Sequence, residues 1–81
     1  MRAHRRASLA TMKRAPVESE IIASVGYDAQ SRTLEVELVH RAIYQYRDVP
    51  GEVHVALLAA DSKGRFFNDA IRDSYACIRV T

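Results

Sequence analysis

The change of hydrophobic period at Val49-Pro50 limits what this chain can fold into more than any other feature. Upstream of it apolar residues recur at every second position, and downstream at every third or fourth. Period 2 belongs to a strand with one covered face, and period 3.6 to a helix with one buried stripe. Proline cannot donate to a β-ladder, but it suits the first turn of a helix, where its missing N–H leaves nothing unpaired. Asp48 is placed to accept from early helical N–H groups, and Glu52 favours the positive end of the helix dipole.

Three strands are expected before the switch. Residues 33–39 carry the cleanest pattern, with Leu34, Val36 and Leu38 alternating with Thr33, Glu35 and Glu37. One face is then apolar and the other wet. Glu35 and Glu37 are expected to be solvated there, because no apolar pocket is at hand to tune them for acid–base work. Residues 21–27 set Ile21, Ala23, Val25 and Tyr27 against Ile22, Ser24 and Gly26, and apolar residues on both sides of its start predict a well-covered strand. Residues 28–32 read as a polar turn and His40-Arg41 as a hairpin turn. Residues 42–48 return with Ala42, Tyr44 and Tyr46 on one face and Ile43, Gln45 and Arg47 on the other. Ile43 and Tyr44 both have a claim to the interior, so the sheet face that the helices cover stays open.

After the switch, Val53, Ala56, Leu57 and Ala60 mark one buried helical face, and residues 61–64 break that helix. A second helix over residues 65–74 turns Phe67, Ala70, Ile71 and Tyr75 or Ser74 inward, with Asn68, Asp69, Arg72 and Asp73 in water. Residues 76–80 alternate Ala76, Ile78 and Val80 against Cys77 and Arg79, a candidate last strand. The expected fold is α+β: a small antiparallel sheet of three strands, or four with the last, carrying two short helices on one face in the order β-β-β-α-α(-β).

At 81 residues the chain makes one domain, near the size where a single core is only just sufficient. Its charge is unevenly spread. Residues 1–16 hold Arg2, Arg5, Arg6, Lys13 and Arg14 with no acid, whereas residues 17–81 hold seven Lys/Arg against ten Asp/Glu, a net of −3. Residues 1–16 read as a basic, disordered extension, and residues 17–81 as the single domain. The extension is a basic arm for an acidic partner, a short targeting segment, or the product of a start upstream of Met12; the last is favoured. Cys77 is the one cysteine, so no internal disulfide forms, and it reads as a small buried hydrophobe. No apolar run approaches the roughly 18 residues of a membrane span, and no secretory h-region opens the chain, so the cytoplasm is the expected location.

The chemistry of an enzyme is sparse. Gly26, Gly51 and Gly64 stand alone, which excludes a Gly-rich phosphate cradle. His4, His40 and His54 have no metal-ligand spacing, and nothing resembles a nucleophile elbow. Neither catalysis nor a metal or other cofactor is expected.

One ordered set of residues does resemble a known family. Val25-Gly26-Tyr27-Asp28, Leu34, Val36, Tyr44-Gln45-Tyr46, Val49-Pro50, Val53, Leu57, Ala60, Ser62, Gly64, Phe66-Phe67-Asn68 and Ile71 resemble the KTSC domain. The resemblance covers residues 17–75, and its central mark is the Tyr-x-Tyr. The family takes its name from the C-terminus of some lysyl-tRNA synthetases and also occurs as stand-alone bacterial proteins. RNA binding is what that association implies, by analogy. Arg41 stands where a turn glycine is usual, and His54 where an aromatic is usual.

Two functions compete. In the first, Tyr44 and Tyr46 stack on bases of single-stranded or transfer RNA, while Arg41, Arg47, Lys63 and Arg65 meet phosphates; binding is then weak and salt-sensitive. In the second, the tyrosines are core, and the domain is a protein-interaction module, either an adaptor or a homodimer joined at a sheet edge. Glu35, Glu37 and the acidic helix face would then suit a basic partner. The small aromatic complement, two Phe and four Tyr, favours a structural role for the motif.

Overall fold

A computed structural model describes residues 13–80 of the chain. Five strands form one antiparallel sheet in sequence order: β1 (Ala15–Pro16), β2 (Ile22–Asp28), β3 (Thr33–Leu38), β4 (Ile43–Tyr46) and β5 (Cys77–Arg79). Between β4 and β5 come α1 (Gly51–Ala59) and α2 (Lys63–Phe66), and α2 runs directly into a π-helical segment, Phe67–Ile71. The α+β class and the order of elements are as expected, and residues 76–80 do supply a strand. The sheet has five strands, one more than the upper expectation. The addition is β1, which lies inside the segment read as an extension and pairs Ala15 with Val25 and Pro16 with Ser24. Two residues carry no periodicity, so sequence pattern could not find it. The remainder of the extension, residues 1–12, lies outside the described residues.

The helices cover the face of Tyr44, not that of Ile43. The core joins Ile22, Val25, Leu34, Val36 and Tyr46 of the sheet to Val49, to Leu57 of α1, and to Phe67 and Ile71 of the π-helical segment. Each such buried side chain contributes about 1.5–3 kcal/mol relative to exposure. Ile22 and Val25 share this face although they are three positions apart, an odd spacing. Ile22 pairs with Leu38 and Ser24 with Glu37, so Ala23 is the extra residue of a β-bulge that shifts the alternation by one. The bulge corrects the simple two-face grouping of residues 21–27.

The helix begins at the switch, with a different cap. Pro50 is the N-cap residue and no side chain caps α1; Asp48 is exposed with φ of 57° and does not take the capping role. The carbonyl of Val49, itself buried, instead accepts from the hydroxyl of Tyr27 at 2.6 Å. Arg41 closes the β3–β4 turn with φ of 80°, while Leu38 N–H donates to Ala42 O and Arg41 N–H to Leu38 O at 2.8 and 2.9 Å. A turn ended by a left-handed residue is the geometry that favours glycine, which is the residue the family resemblance places there. At position 54 the imidazole replaces the usual aromatic and still stacks, 4.8 Å and 17° from the Tyr27 ring.

Candidate functional site: a groove beside the second tyrosine strand

The two tyrosines of β4 point to one face, as period 2 requires, but they meet different surroundings. Tyr46 is 3% exposed. Phe67 packs against it edge-to-face, with centroids 5.7 Å apart and planes at 83°. Burial, first of all, together with the adjoining Cys77 thiol that hydrogen-bonds with it, pushes the Tyr46 phenol up to about 12. Tyr44 is half-buried, its ring 6.5 Å from that of Tyr46 and tilted by 46°. The guanidinium carbon of Arg79, which pairs with Tyr44 across β4 and β5, lies 5.9 Å from the Tyr44 centroid, within the range of a cation–π contact.

Both rings line a groove of about 450 Å³ between the sheet and the π-helical segment. Its other chemistry comes from His40 in the turn after β3, from Asn68, Arg72 and Asp73, and from Cys77 of β5. Arg72 Nη1 donates to Asn68 Oδ1 at 3.3 Å, one helical turn back. The π-helical turn is marked by Arg72 N–H donating to Phe67 O at 2.9 Å, and it keeps Phe67 and Ile71 both buried. Cys77, expected in the interior, is exposed. It lies on a three-residue strand at the edge of the sheet, paired on one side only, and opens onto the groove.

The four cations grouped with the tyrosines by sequence do not line this groove. Arg41 is exposed in the β3–β4 turn and Arg47 just beyond β4. Lys63 is half-buried, its Nζ donating to Ala60 O at 3.1 Å. Lys63 and Arg65 line a different, shallower depression with Glu18, Glu20 and Asp61, acids that repel a phosphate. Arg72 and His40, with Asn68, Asp73 and Cys77, are the polar groove residues that sequence reading leaves out of the set. Helical spacing puts Arg72 on the wet side of its helix, and no local signal says that this side overlooks Tyr44.

The Ser62, Gly64 and Phe67 positions have structural reasons. Ser62 Oγ accepts from Arg65 N–H and caps α2. Gly64 is buried against Ile21, whose Cδ1 would lie 2.8 Å from an added Cβ. On the opposite sheet face, Glu35, expected to be solvated, is fully buried. Arg14 and Gln45 cover it, from segments whose contact with β3 only the folded register creates. Among the described residues no group of three or more His, Cys, Asp or Glu could hold a metal ion, and no helix is long and apolar enough to cross a membrane.

Comparison with known proteins gives a consistent picture. The family model for the KTSC domain matches residues 18–75. An uncharacterised protein of Stutzerimonas stutzeri is 45% identical over 64 residues, covering 79% of this chain and 90% of its own. A protein of Tsukamurella paurometabola is 40% identical over 65 residues, covering 80% and 97%. The crystal structure of a KTSC domain protein from Yersinia pestis superposes with a TM-score of 0.84 at 39% identity, covering 88% of this chain and all of that one. None of these descriptions mentions a synthetase, so the synthetase association implied by the resemblance finds no support in them.

Proposed function

The chain belongs to the KTSC domain family, and on that premise we propose that it is a non-enzymatic module that binds single-stranded RNA weakly in the groove beside Tyr44. The observation that carries this reading is the half-buried Tyr44 ring in a groove of mixed polarity, with Arg79 beside it and Arg72 among the lining residues. The Tyr46 ring serves the core instead, so the pair supplies one stacking face. Base–aromatic stacking is worth about 1–3 kcal/mol per base, which with one ring makes for modest affinity. Two arginines meeting two phosphates give a log–log salt slope of about −1.4. The net of −3 over residues 17–81 supplies no bulk attraction, so recognition is local to the groove.

Titration of a labelled single-stranded oligoribonucleotide against wild type and Tyr44→Ala at two salt concentrations tests this. Tyr44→Ala is expected to weaken binding by about 5- to 150-fold, the equivalent of one stacked base. Equal affinities reject the reading.

A second reading, a protein-interaction module in which Tyr-x-Tyr is structural, is favoured by the exposed apolar side of α1, where Val55 and Leu58 are 63% and 43% accessible. Sedimentation velocity across a range of concentrations tests its homodimeric form; a chain that stays monomeric and tolerates Val55→Glu without change removes that form.

A further inference from the structure

The sheet face opposite the helices holds a second arrangement, which RNA binding does not use. Its centre is Glu35 of β3, which has no solvent exposure. Arg14 Nη1 pairs with Glu35 Oε2, and Gln45 Nε2 donates to Glu35 Oε1 at 2.7 Å. Arg14 Nε donates to Ser24 Oγ at 2.9 Å, and Ser24 Oγ donates to Glu37 Oε1 at 2.8 Å. Arg14 Nη2 lies 3.7 Å from that same Glu37 oxygen. All three nitrogens of one guanidinium therefore face acceptors fixed by neighbouring strands. This selects a planar fork over the point charge of an ammonium. We propose that this is an arginine-recognition site occupied in the free chain by its own N-terminal strap, and that its partner is an extended, arginine-bearing segment of another protein, which pairs with β2 in place of residues 13–17.

The hold of the strap is narrow. Within residues 13–17 only Arg14 and Val17 are turned inward, Val17 against the rim of the core with its N–H donating to Ala23 O at 3.2 Å; Lys13, Ala15 and Pro16 are exposed. Its ladder with β2 is two residues long, and Pro16 has no N–H to give. The floor beneath it is shaped for a crossing backbone. A Cβ on Gly26 would overlap the carbonyl oxygen of Lys13 and lie 3.1 Å from Arg14 Cγ, so the missing side chain is what lets the strap and its arginine lie over the sheet and reach Glu35, the cross-strand partner of Gly26. Beneath the strap, β2 runs for seven residues, of which, among the described residues, Ser24 and Val25 pair with β1 and Ala23 accepts from Val17 N–H. A longer foreign strand therefore gains ladder bonds that residues 13–17 do not make. Strand addition of this kind draws affinity from main-chain bonds and specificity from a side-chain pocket. Charge agrees: two carboxylates, Glu35 and Glu37, face one guanidinium, which leaves the site acidic toward a basic segment.

The test uses the full chain and a labelled peptide with the sequence of residues 12–17, Met-Lys-Arg-Ala-Pro-Val, together with versions carrying lysine or citrulline for the arginine. Fluorescence anisotropy is expected to show the arginine peptide binding Arg14→Ala about tenfold or more tighter than wild type, because the resident competitor is gone, and both altered peptides binding about tenfold weaker. Arg14→Ala/Glu35→Gln is expected to lose that preference. Equal affinity for the three peptides, or no binding, overturns the proposal. Should Arg14→Ala not fold, the amide resonances of Ser24, Val25, Gly26 and Glu35 in the wild type are followed instead. Their selective movement with the arginine peptide supports the site, and their constancy at millimolar peptide overturns it. A concentration-dependent dimer of the wild type that Arg14→Ala abolishes assigns the site to exchanged straps of two copies and overturns a foreign partner. Because this site lies across the sheet from Tyr44, either proposal can fail while the other stands.

Discussion

Replacing Arg14 by alanine takes the cation away from a carboxylate with no access to solvent, and the loss of stability can be worked from the burial on each side. Glu35 is fully buried, whereas the Arg14 side chain keeps 20% of its surface. Breaking a buried ion pair by removing one partner costs about 3–5 kcal/mol, because the charge left behind is uncompensated. Gln45 still donates to Glu35 Oε1, and water enters through the space the arginine vacates, which places Arg14→Ala at the lower end, about 3 kcal/mol. A domain of this length has a total stability of about 4–12 kcal/mol, so the variant sits near the edge of folding. Its melting temperature falls by roughly 12–24 °C. The informative measurement is a second substitution. Arg14→Ala/Glu35→Gln replaces the stranded carboxylate with a neutral amide that still accepts from Gln45, and it is expected to recover about 1–2 kcal/mol relative to Arg14→Ala alone. Urea unfolding followed by circular dichroism, with slopes compared to confirm a common transition, reads all the variants. Two results refute the reasoning: a cost for Arg14→Ala below about 0.5 kcal/mol, as an exposed pair would give, or a double variant less stable than the single one.

Three further expectations follow from local geometry. Arg41→Gly relieves a backbone at φ of 80°; the left-handed penalty of about 1–2 kcal/mol, less the extra unfolded-state freedom of glycine, leaves a gain of about 0.5 kcal/mol, and calorimetry that shows a loss contradicts it. The Tyr46 phenol is pushed up to about 12 from 10.0, first by burial, so its contribution to stability is whole below pH 10 and is lost as pH rises toward 12; Tyr46→Phe is expected to flatten that part of the wild-type unfolding profile, and an unchanged slope refutes it. Burial lowers the His54 pKa from 6.5, which favours the neutral ring in the fold. Its contribution is therefore present above pH 6.5 and lost on acidification below it; His54→Phe keeps the stack on Tyr27 and is expected to be less sensitive to acid in the same assay.

The groove beside Tyr44 is partly legible in the sequence. Period 2 places Tyr44 and Tyr46 on one face, and that is where they are. Which ring is buried depends on Phe67, which lies in a different element and reaches Tyr46 only when the π-helical segment docks. Proximity along the chain groups the cations at strand ends and turns. The groove draws its own from Arg72, and Arg79 reaches the Tyr44 ring beside it; packing brings in the first and strand pairing the second. Cys77 and Glu35 exchange their expected places for similar reasons. An apolar, small residue at a sheet edge stays exposed, while an acid at the centre of the sheet is covered once a basic strap crosses it.

By itself the sequence determined what most stretches become: three strands up to Tyr46, a helix after Pro50, a second helix beyond it, whose start at Lys63 lies in the stretch read as a break, and a last short strand. These follow from side-chain period and proline, which act within a few residues. The tertiary structure alone decided which side of the sheet is inside, the bulge at Ala23 that brings Ile22 and Val25 to one face, and the closing of Arg14 over Glu35, 21 residues away in the chain. Those depend on register and on contacts between distant segments, and a one-residue shift in register sends every side chain of a strand to the other face.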